Sequence, residues 1–400
     1  MQSAWDGTAE AMTLRETAPR FESLPAAQYY FAFVICGFVT VLLGPVLPVL
    51  AGWWHLTDVQ GGWLFASQFS SSTVGAAVSS HFPRKSVVSG LASICAGVAM
   101  LLAGNYPAAL AAFALIGLGT GLTVSSTNLI FGTEYPEQRG ALLTRVNLCW
   151  GIGAVLAPEV VALALRAHAL RTFVLLLALT AALAFALFSP LLRKAKMQTV
   201  AEGSGAERYA DAGLWVFVLF SVLLFLYVGA ETTVAGWVAT YAHRLSGMTV
   251  ERASMLVSGF WVALLAGRWL VVVLLRWLAE MAVLLGGLAL AMGGVATLLF
   301  PHGAWVLTTA VVAVGLGSAP IFPLSVSRML ARTGRTRHAG WVFAICGSGG
   351  AVVPWVTGLI SQHGGGLRAG FAAPLAALAG ILICVVAERS MGRPQAHVVE

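Results

Sequence analysis

The sequence predicts an all-α membrane protein with twelve transmembrane helices in two pseudo-symmetric six-helix bundles, and three observations carry this prediction. Of the 400 residues, 58% are hydrophobic and only 10% are charged, and the mean hydropathy is +0.85. Because soluble chains are about 25% charged, this composition excludes a soluble enzyme and a nucleic-acid-binding protein. Apolar stretches of membrane-spanning length recur along the chain, and its two halves repeat each other.

Each predicted span is an apolar stretch near the roughly 20 residues that cross the hydrocarbon of a bilayer. Polar gaps that hold most of the charges separate the spans. The first 27 residues lack the basic start and short apolar core of a signal peptide. The spans cover 28–53, 59–81, 86–104, 108–132, 142–166, 171–192, 213–242, 253–277, 281–300, 304–328, 338–362 and 369–388.

The basic residues predict the orientation. Seventeen of the 23 Lys and Arg residues fall on the side that holds both termini, and five fall on the opposite side. The positive-inside rule therefore predicts cytoplasmic termini in a cell (inner or plasma) membrane, with an even number of spans. The net charge of +7 is then explained by topology, and no nucleic-acid partner is expected.

The longest polar gap divides the chain. It predicts two bundles of six helices, at 28–192 and 213–388, joined by a cytoplasmic linker at 193–212. The segments 1–27 and 389–400 are predicted as cytoplasmic tails.

Short motifs recur between the halves at similar offsets. The pairs are GLGTG at 117 and GLGSA at 315, GIGAVLAP ending at Pro158 and GSGGAVVP ending at Pro354, and Gly75 and Gly267. Their offsets are 198, 196 and 192 residues, which indicates a duplicated six-helix unit. Two such units related by an axis along the membrane normal are typical of transporters, with the substrate site between them near the midplane.

With these features the sequence resembles the major facilitator superfamily, and within it the fucose:proton symporter group of sugar permeases. The resembling stretches are LTDVQGGW (56–63), YVGAETTVAGWVATY (227–241), FWVALLAGRWL (260–270) and GSGGAVVPWVTGLIS (347–361). The resemblance implies the major facilitator fold and the transport of a monosaccharide by alternating access.

Two parts of the family pattern are missing. The loop after span 2 reads GAAVSSHFPRK, with Ser79 where the family has an acid. The acids to which proton coupling is assigned in the fucose permease correspond to Gly44 and Val124. The resemblance therefore implies the fold and the substrate class, and it does not carry over the coupling residues.

Three charged residues lie inside predicted spans: Glu231, Arg268 and Glu159. A charge in the bilayer core is costly, so such residues usually face a cavity and have a function. Glu231 lies in a long span that Gly229, Gly236 and two threonines are expected to interrupt, and we assign it to substrate binding and proton coupling. The alternative is a static carboxylic acid that is hydrogen-bonded between helices. Glu159 is a second candidate for coupling, although it follows Pro158 near the interface and is expected to be wet there.

Arg268 is a candidate substrate ligand or a helix-locking residue. Helical rise places Glu231 about 25 Å from the cytoplasmic start of its span and Arg268 about 22 Å from the outer end of the next. Counted in this way the two residues lie at different depths, so a direct pair is not expected without a helix tilt or a boundary shift.

Neutral polar and aromatic residues complete the predicted substrate site. Gln68, Asn128 and Asn147 are candidates for hydrogen bonds to substrate, and each asparagine is equally well explained as a bridge between helices. Tryptophan rings stack on the apolar faces of sugars, although Trp also occurs normally at membrane interfaces. The candidates for stacking are Trp150, Trp237, Trp261, Trp341 and Trp355, of which Trp261 and Trp341 are preferred.

The predicted function is a secondary active transporter, a proton symporter for a small polyhydroxylated solute, acting as a monomer in the bilayer. No catalytic motif, metal cluster or cofactor is indicated, and the five cysteines are expected to be buried without disulfides. Three alternatives stay open: a drug or metabolite exporter working as a proton antiporter, an uncoupled facilitator, and a membrane sensor without transport.

Overall fold

The computed structural model describes residues 23–79, 81–135, 138–190, 214–300, 303–333 and 339–390, and throughout these residues the chain is helical without strands. The all-α prediction is confirmed. The helices are α1 (Ser23–Val41), α2 (Leu43–Trp54), α3 (Asp58–Val78), α4 (Pro83–Met100), α5 (Tyr106–Glu134), α6 (Arg139–Arg166), α7 (Leu170–Phe188), α8 (Leu214–Leu245), α9 (Val250–Leu274), α10 (Glu280–Thr297), α11 (Ala304–Ser318), α12 (Ile321–Thr333), α13 (Ala339–His363), α14 (Leu367–Gly370) and α15 (Ala372–Ser390).

Nine segments of the described chain are long and apolar enough to cross a membrane, and a bent pair, Ala27–Val41 with Leu43–Trp54, makes a tenth. The predicted spans at 59–81 and 338–362 are the helices α3 and α13, which are not among these ten. In α3 the polar run from Ser67 to Thr73 lowers the hydropathy. The architecture is that of a multi-pass membrane protein, and the count of twelve spans stays a prediction.

The first predicted span is bent by 40° between α1 and α2. Pro45 has no amide hydrogen and cannot bond to the carbonyl four residues before it, which loosens the helix at this point. The amide nitrogen of Gln68 in α3 donates to the carbonyl oxygens of Val39 and Thr40 at 3.3 and 3.2 Å. Gln68 therefore supports the bend from the neighbouring helix.

The two ends of the helix bundle are named here after Asp58 and Arg84. The Asp58 face holds the start of α3 and the ends of α8 and α13, which contact one another there. The Arg84 face holds the opposite ends of these helices. On it Arg84 pairs with Glu134 at 2.9 Å, and in the other half Arg328 and Arg332 both bond to the buried Glu388.

Glycines allow the same close helix packing in both halves. Gly75 packs against the backbone of Leu118 in α5, and Gly267 packs against Leu316 in α11. An added Cβ atom would lie 2.4 Å from the Leu118 carbonyl oxygen at Gly75 and 2.6 Å from the Ala319 Cβ atom at Gly267, so a side chain at either glycine would collide with its neighbour. The two contacts occupy equivalent positions in the repeated motifs, so the sequence repeat corresponds to a repeated packing contact. Between the halves, α3 packs on α13 and α6 packs on α9.

Candidate functional site

Glu231 lies at the centre of a polar cluster between α8 and α9. The hydroxyl of Tyr227, one turn earlier in α8, donates a hydrogen bond to Glu231 Oε1 at 2.8 Å. Arg268 of α9 interacts electrostatically with both residues, and the thiol of Cys346 in α13 faces the same carboxylate. One carboxylate is thus held between a phenol and a guanidinium, which is the arrangement expected of a charge that is kept within the membrane.

Glu231 and Arg268 interact electrostatically, so their depths are closer than the count of helical rise gave, although no ion pair within 4 Å joins them among the described contacts. The helix α8 has 32 residues, and its length of about 48 Å exceeds the roughly 30 Å of hydrocarbon. Its first turns therefore extend beyond the hydrocarbon, and Glu231 lies near mid-membrane. Tyr227, one turn earlier in α8, interacts with Arg268 as well and bridges the remaining distance between Glu231 and Arg268.

The predicted interruption of the seventh span is also wrong. The helix α8 is continuous from Leu214 to Leu245, through both glycines. Gly229 lies against Val353 and Gly349 of α13, and Gly236 lies against the ring of Phe65 in α3. These glycines therefore serve close helix packing, and the predicted spans whose helices are interrupted are the first, between α1 and α2, and the tenth, between α11 and α12.

Trp261 offers a hydrogen-bond donor that the protein does not use. It lies seven residues before Arg268 on α9, is 7% exposed, and packs edge-to-face on Trp150 at 5.4 Å between ring centroids. Its indole nitrogen is buried without an acceptor among the described residues. A buried donor left without a partner is costly, so a ligand acceptor at this point would be favourable.

The two asparagines differ in their surroundings. Asn128 of α5 has a buried side-chain oxygen without a partner in the described part of the chain. Asn147 of α6 is exposed, and its amide donates to the carbonyl of Leu143 in its own helix at 2.8 Å. Asn128 thus keeps a free acceptor, whereas the recorded bond of Asn147 is local.

Gln68 and Trp237 have structural partners. Gln68 is 1% exposed and its nitrogen is bound at the bend between α1 and α2, which leaves only its buried oxygen free. Trp237 is 1% exposed, donates to the carbonyl of Pro354 at 3.1 Å, and packs on Phe65 of the other half. In this conformation Trp237 fills the contact between the halves and has no free face for a sugar ring.

Two further candidates lie apart from the cluster or outside the described atoms. Glu159 follows Pro158 in α6, is partly exposed, and makes no hydrogen bond or ion pair with any other residue that the structure describes. Trp341 falls within α13, but its side chain lies outside the described part of the chain.

An ion pair that the sequence did not predict joins the two halves at the Asp58 face. Arg244, at the end of α8, donates to Asp58 at 2.5 Å, and Ser361 of α13 donates to the other carboxylate oxygen at 2.6 Å. Asp58 is the first residue of α3, directly after the capping residue Thr57. The signal in the sequence was an acid and a base at the ends of two spans that share a face.

Other polar contacts between the halves also lie toward the Asp58 face. The hydroxyl of Ser254 donates to Pro45 O at 3.0 Å, and that of Ser258 donates to Val155 O at 2.9 Å. Toward the Arg84 face, Arg268 and Asn147 are exposed. The described polar contacts between the halves therefore lie toward the Asp58 face.

The charged cluster lies inside the second half of a multi-pass helical membrane protein. The model of the Major Facilitator Superfamily matches residues 29–338. The chain belongs to the major facilitator superfamily. Members of this superfamily are membrane transporters of small-molecule solutes, and they are not enzymes. A search of the curated proteins gives no match.

Solved structures of other superfamily transporters share the fold. The D-xylose–proton symporter is 16% identical, with a TM-score of 0.73 over 92% of this chain and 97% of its own. The E. coli fucose:proton symporter with the change N162A is 19% identical, with a TM-score of 0.58 over 92% and 99%. A peptide transporter in complex with sulfate is 15% identical, with a TM-score of 0.75 over 92% and 94%. Because these proteins differ in solute, the similarity establishes the superfamily fold alone.

Proposed function

We propose that this superfamily member is a proton-coupled symporter for a small polyhydroxylated solute, a monosaccharide, and that it acts as a monomer in the cell membrane. The observation that carries the proposal is the Glu231 carboxylate inside the second half, which accepts a hydrogen bond from Tyr227 at 2.8 Å and interacts electrostatically with Arg268. It is a group that can gain and lose one proton in the middle of the membrane. In this orientation the Arg84 face is cytoplasmic, as the excess of basic residues supports.

The family position for the acid in the first span is closed to an acid here. A Cβ atom added to Gly44 would lie 2.7 Å from the carbonyl oxygen of Ala235 in α8, so a carboxylate side chain has no room. The position in span 4 is Val124. Among the charged groups inside the spans, this leaves Glu231 with the central location that coupling requires.

The proposed site provides the groups that a sugar needs. Sugar hydroxyls both donate and accept hydrogen bonds, and Trp261 and Asn128 present a free donor and a free acceptor. Trp150 supplies apolar surface next to Trp261. The monosaccharide would bind between α5, α6 and α9, close to the Glu231 cluster.

In the proposed cycle Glu231 takes up a proton while the site is open at the Asp58 face, and the solute binds. The halves then close at that face, as the Asp58 contacts of this structure have done. Water reaching the cluster from the Arg84 side takes the proton from Glu231, and the positive charge of Arg268 favours its departure by stabilising the carboxylate.

Proteoliposomes test this proposal with radiolabelled fucose, xylose, glucose and galactose. The wild type should accumulate at least one of these sugars in response to an imposed proton gradient. Glu231→Gln should abolish accumulation but retain exchange of sugar across the membrane, because a neutral side chain cannot release a proton. Glu159→Gln is the matched control and should accumulate normally. Accumulation by Glu231→Gln would refute the coupling assignment, and exchange by the wild type without accumulation would indicate a facilitator.

A further inference from the structure

A cavity of about 500 Å³ lies away from the Glu231 cluster, on the flank of the Arg84 face where α3 ends and α4 begins. Three residues of α4 line it with polar atoms: Lys85, Ser86 and Ser89. The other lining side chains are apolar and come from α3, α4, α5, α7 and the turn before α4. They are Val78, Phe82, Val88, Leu118, Leu122 and Phe185. The cavity, hereafter the Lys85 groove, is thus an apolar cleft with one cation.

The rim of the Lys85 groove is open. Val78 is 55% exposed and Phe82 is 61% exposed, while Val88 and Leu122 are buried within the wall. In a multi-pass membrane protein, exposed apolar side chains near a helix end contact lipid. An open apolar cleft at this level is therefore filled by hydrocarbon chains, and the remaining question is which headgroup sits above it.

The charge at the groove favours an anionic headgroup. Arg84 is neutralised by Glu134 at 2.9 Å, but Lys85 has no carboxylate partner among the described residues. Its ammonium lies 5.2 Å from the centre of the Phe82 ring, at the mouth of the groove. Ser86 lines the same groove and is 6% exposed. The local balance is one uncompensated positive charge next to a hydroxyl donor.

We propose that the Lys85 groove is a binding site for one anionic phospholipid, with an acyl chain against Val88 and Leu122 and the phosphate at Lys85. Basic residues at a membrane surface attract anionic lipids, and each contributes roughly a fivefold gain in affinity. The long aliphatic stem of lysine packs on apolar surface while its ammonium reaches the headgroup. The site is separate from the solute pathway and does not depend on which solute is carried.

Native mass spectrometry of the delipidated full chain tests the proposal. The probes are phosphatidylglycerol and phosphatidylcholine with identical acyl chains, each titrated against the wild type. The first bound phosphatidylglycerol should bind roughly fivefold more tightly than phosphatidylcholine. Lys85→Gln should remove this preference, and Lys85→Arg should keep it. Arg389→Gln removes a positive charge from the Arg84 face of the other half and should leave the preference unchanged.

The groove itself needs a separate variant. Ser89→Leu places an apolar side chain in the open cleft and should weaken the first bound lipid of either kind, because the acyl chain loses its room. The proposal is overturned by equal binding of the two lipids to the wild type, by a preference that survives Lys85→Gln, or by loss of the preference in Arg389→Gln. Unchanged lipid binding in Ser89→Leu would equally overturn it, since the groove would then play no part.

Discussion

Arg244 donates to Asp58 at 2.5 Å, and this ion pair joins the end of α8 in one half to the start of α3 in the other. The Asp58 side chain is only 12% exposed, and Ser361 of α13 occupies its second oxygen. Three helices from the two halves thus meet at one carboxylate. An alternating-access carrier must break these contacts whenever the Asp58 face opens, so the pair sets part of the energy difference between the two states.

Asp58→Asn is expected to shift the equilibrium toward the state that is open at the Asp58 face. Loss of a partly exposed ion pair corresponds to roughly 1 kcal/mol, or about a fivefold change in the population ratio. Spin labels at Gly52 and His363, on exposed positions of the two halves, report the distance between them by pulsed electron resonance.

The double variant Asp58→Asn with Arg244→Gln controls for unrelated effects of either change. If the two residues act through their mutual bond, the double variant should shift the distance distribution no further than the larger single shift. Additive shifts would show that the pair does not act as a closing contact.

The sequence predicted the fold class because hydropathy and the positive-inside rule depend on composition along the chain and not on tertiary contacts. The predicted and observed helices coincide over most of their length, and the repeated glycines make equivalent contacts in both halves. The bend in the first span could have been foreseen from Pro45 and Pro48. The continuity of α8 could not, because glycine in a helix is compatible both with a break and with close packing against a neighbour.

The candidate site was predicted in part. The sequence did not give the distance between Glu231 and Arg268, nor the hydrogen-bond partners of the polar side chains. The costly charge at Glu231 pointed to the cluster, but the counting of helical rise separated it from Arg268. The length by which α8 extends beyond the hydrocarbon and the position of the Tyr227 hydroxyl between the two residues depend on the folded structure, and the sequence alone does not give them. Gln68 and Trp237 show the same limit, because a sequence does not say whether a polar group in a span already has a backbone partner.

Arg268→Gln is expected to destabilise the protein more than Glu231→Gln does. Removing the guanidinium leaves the Glu231 carboxylate in the membrane core with only Tyr227 as a partner, whereas removing the carboxylate leaves Arg268, which reaches solvent. Because Arg268 is exposed and forms no ion pair with Glu231 within 4 Å among the described contacts, its loss should cost about 1 kcal/mol. Thermal unfolding in detergent gives the order of the variants.

In the same experiment the double variant Glu231→Gln with Arg268→Gln should be more stable than Arg268→Gln alone, because no unpaired charge remains. A double variant that is less stable than both single variants would mean that the two side chains do not compensate each other.

Gly44→Ala is expected to lower the stability of the closed contact between α2 and α8. The added methyl group would lie 2.7 Å from the carbonyl oxygen of Ala235, and overpacking of this kind costs about 1–3 kcal/mol. Gly52→Ala on the same helix is a matched control, since a methyl group there meets no atom within 4 Å. The melting temperature should fall for Gly44→Ala and stay within error or rise slightly for Gly52→Ala. Equal effects of the two changes would show that the contact at Gly44 has no energetic role.

Trp261→Phe and Trp237→Phe form a pair that separates solute binding from folding. Both changes keep an aromatic ring and remove one indole N–H. The N–H of Trp261 has no acceptor among the described residues, so its loss should leave the melting temperature nearly unchanged. The N–H of Trp237 bonds to Pro354 O, so its loss leaves a buried carbonyl without its partner at a cost of about 1–3 kcal/mol.

Sugar binding should show the opposite order. With the sugar that the wild type exchanges, Trp261→Phe should weaken binding by about tenfold, which corresponds to the loss of one buried hydrogen bond to a ligand. Trp237→Phe should change affinity less, because the ring lies in the contact between the halves. Calorimetry on the purified variants gives both the affinity and the melting temperature. Unchanged affinity in Trp261→Phe would remove this residue from the site, since an unused buried donor is the reason for placing the sugar beside it.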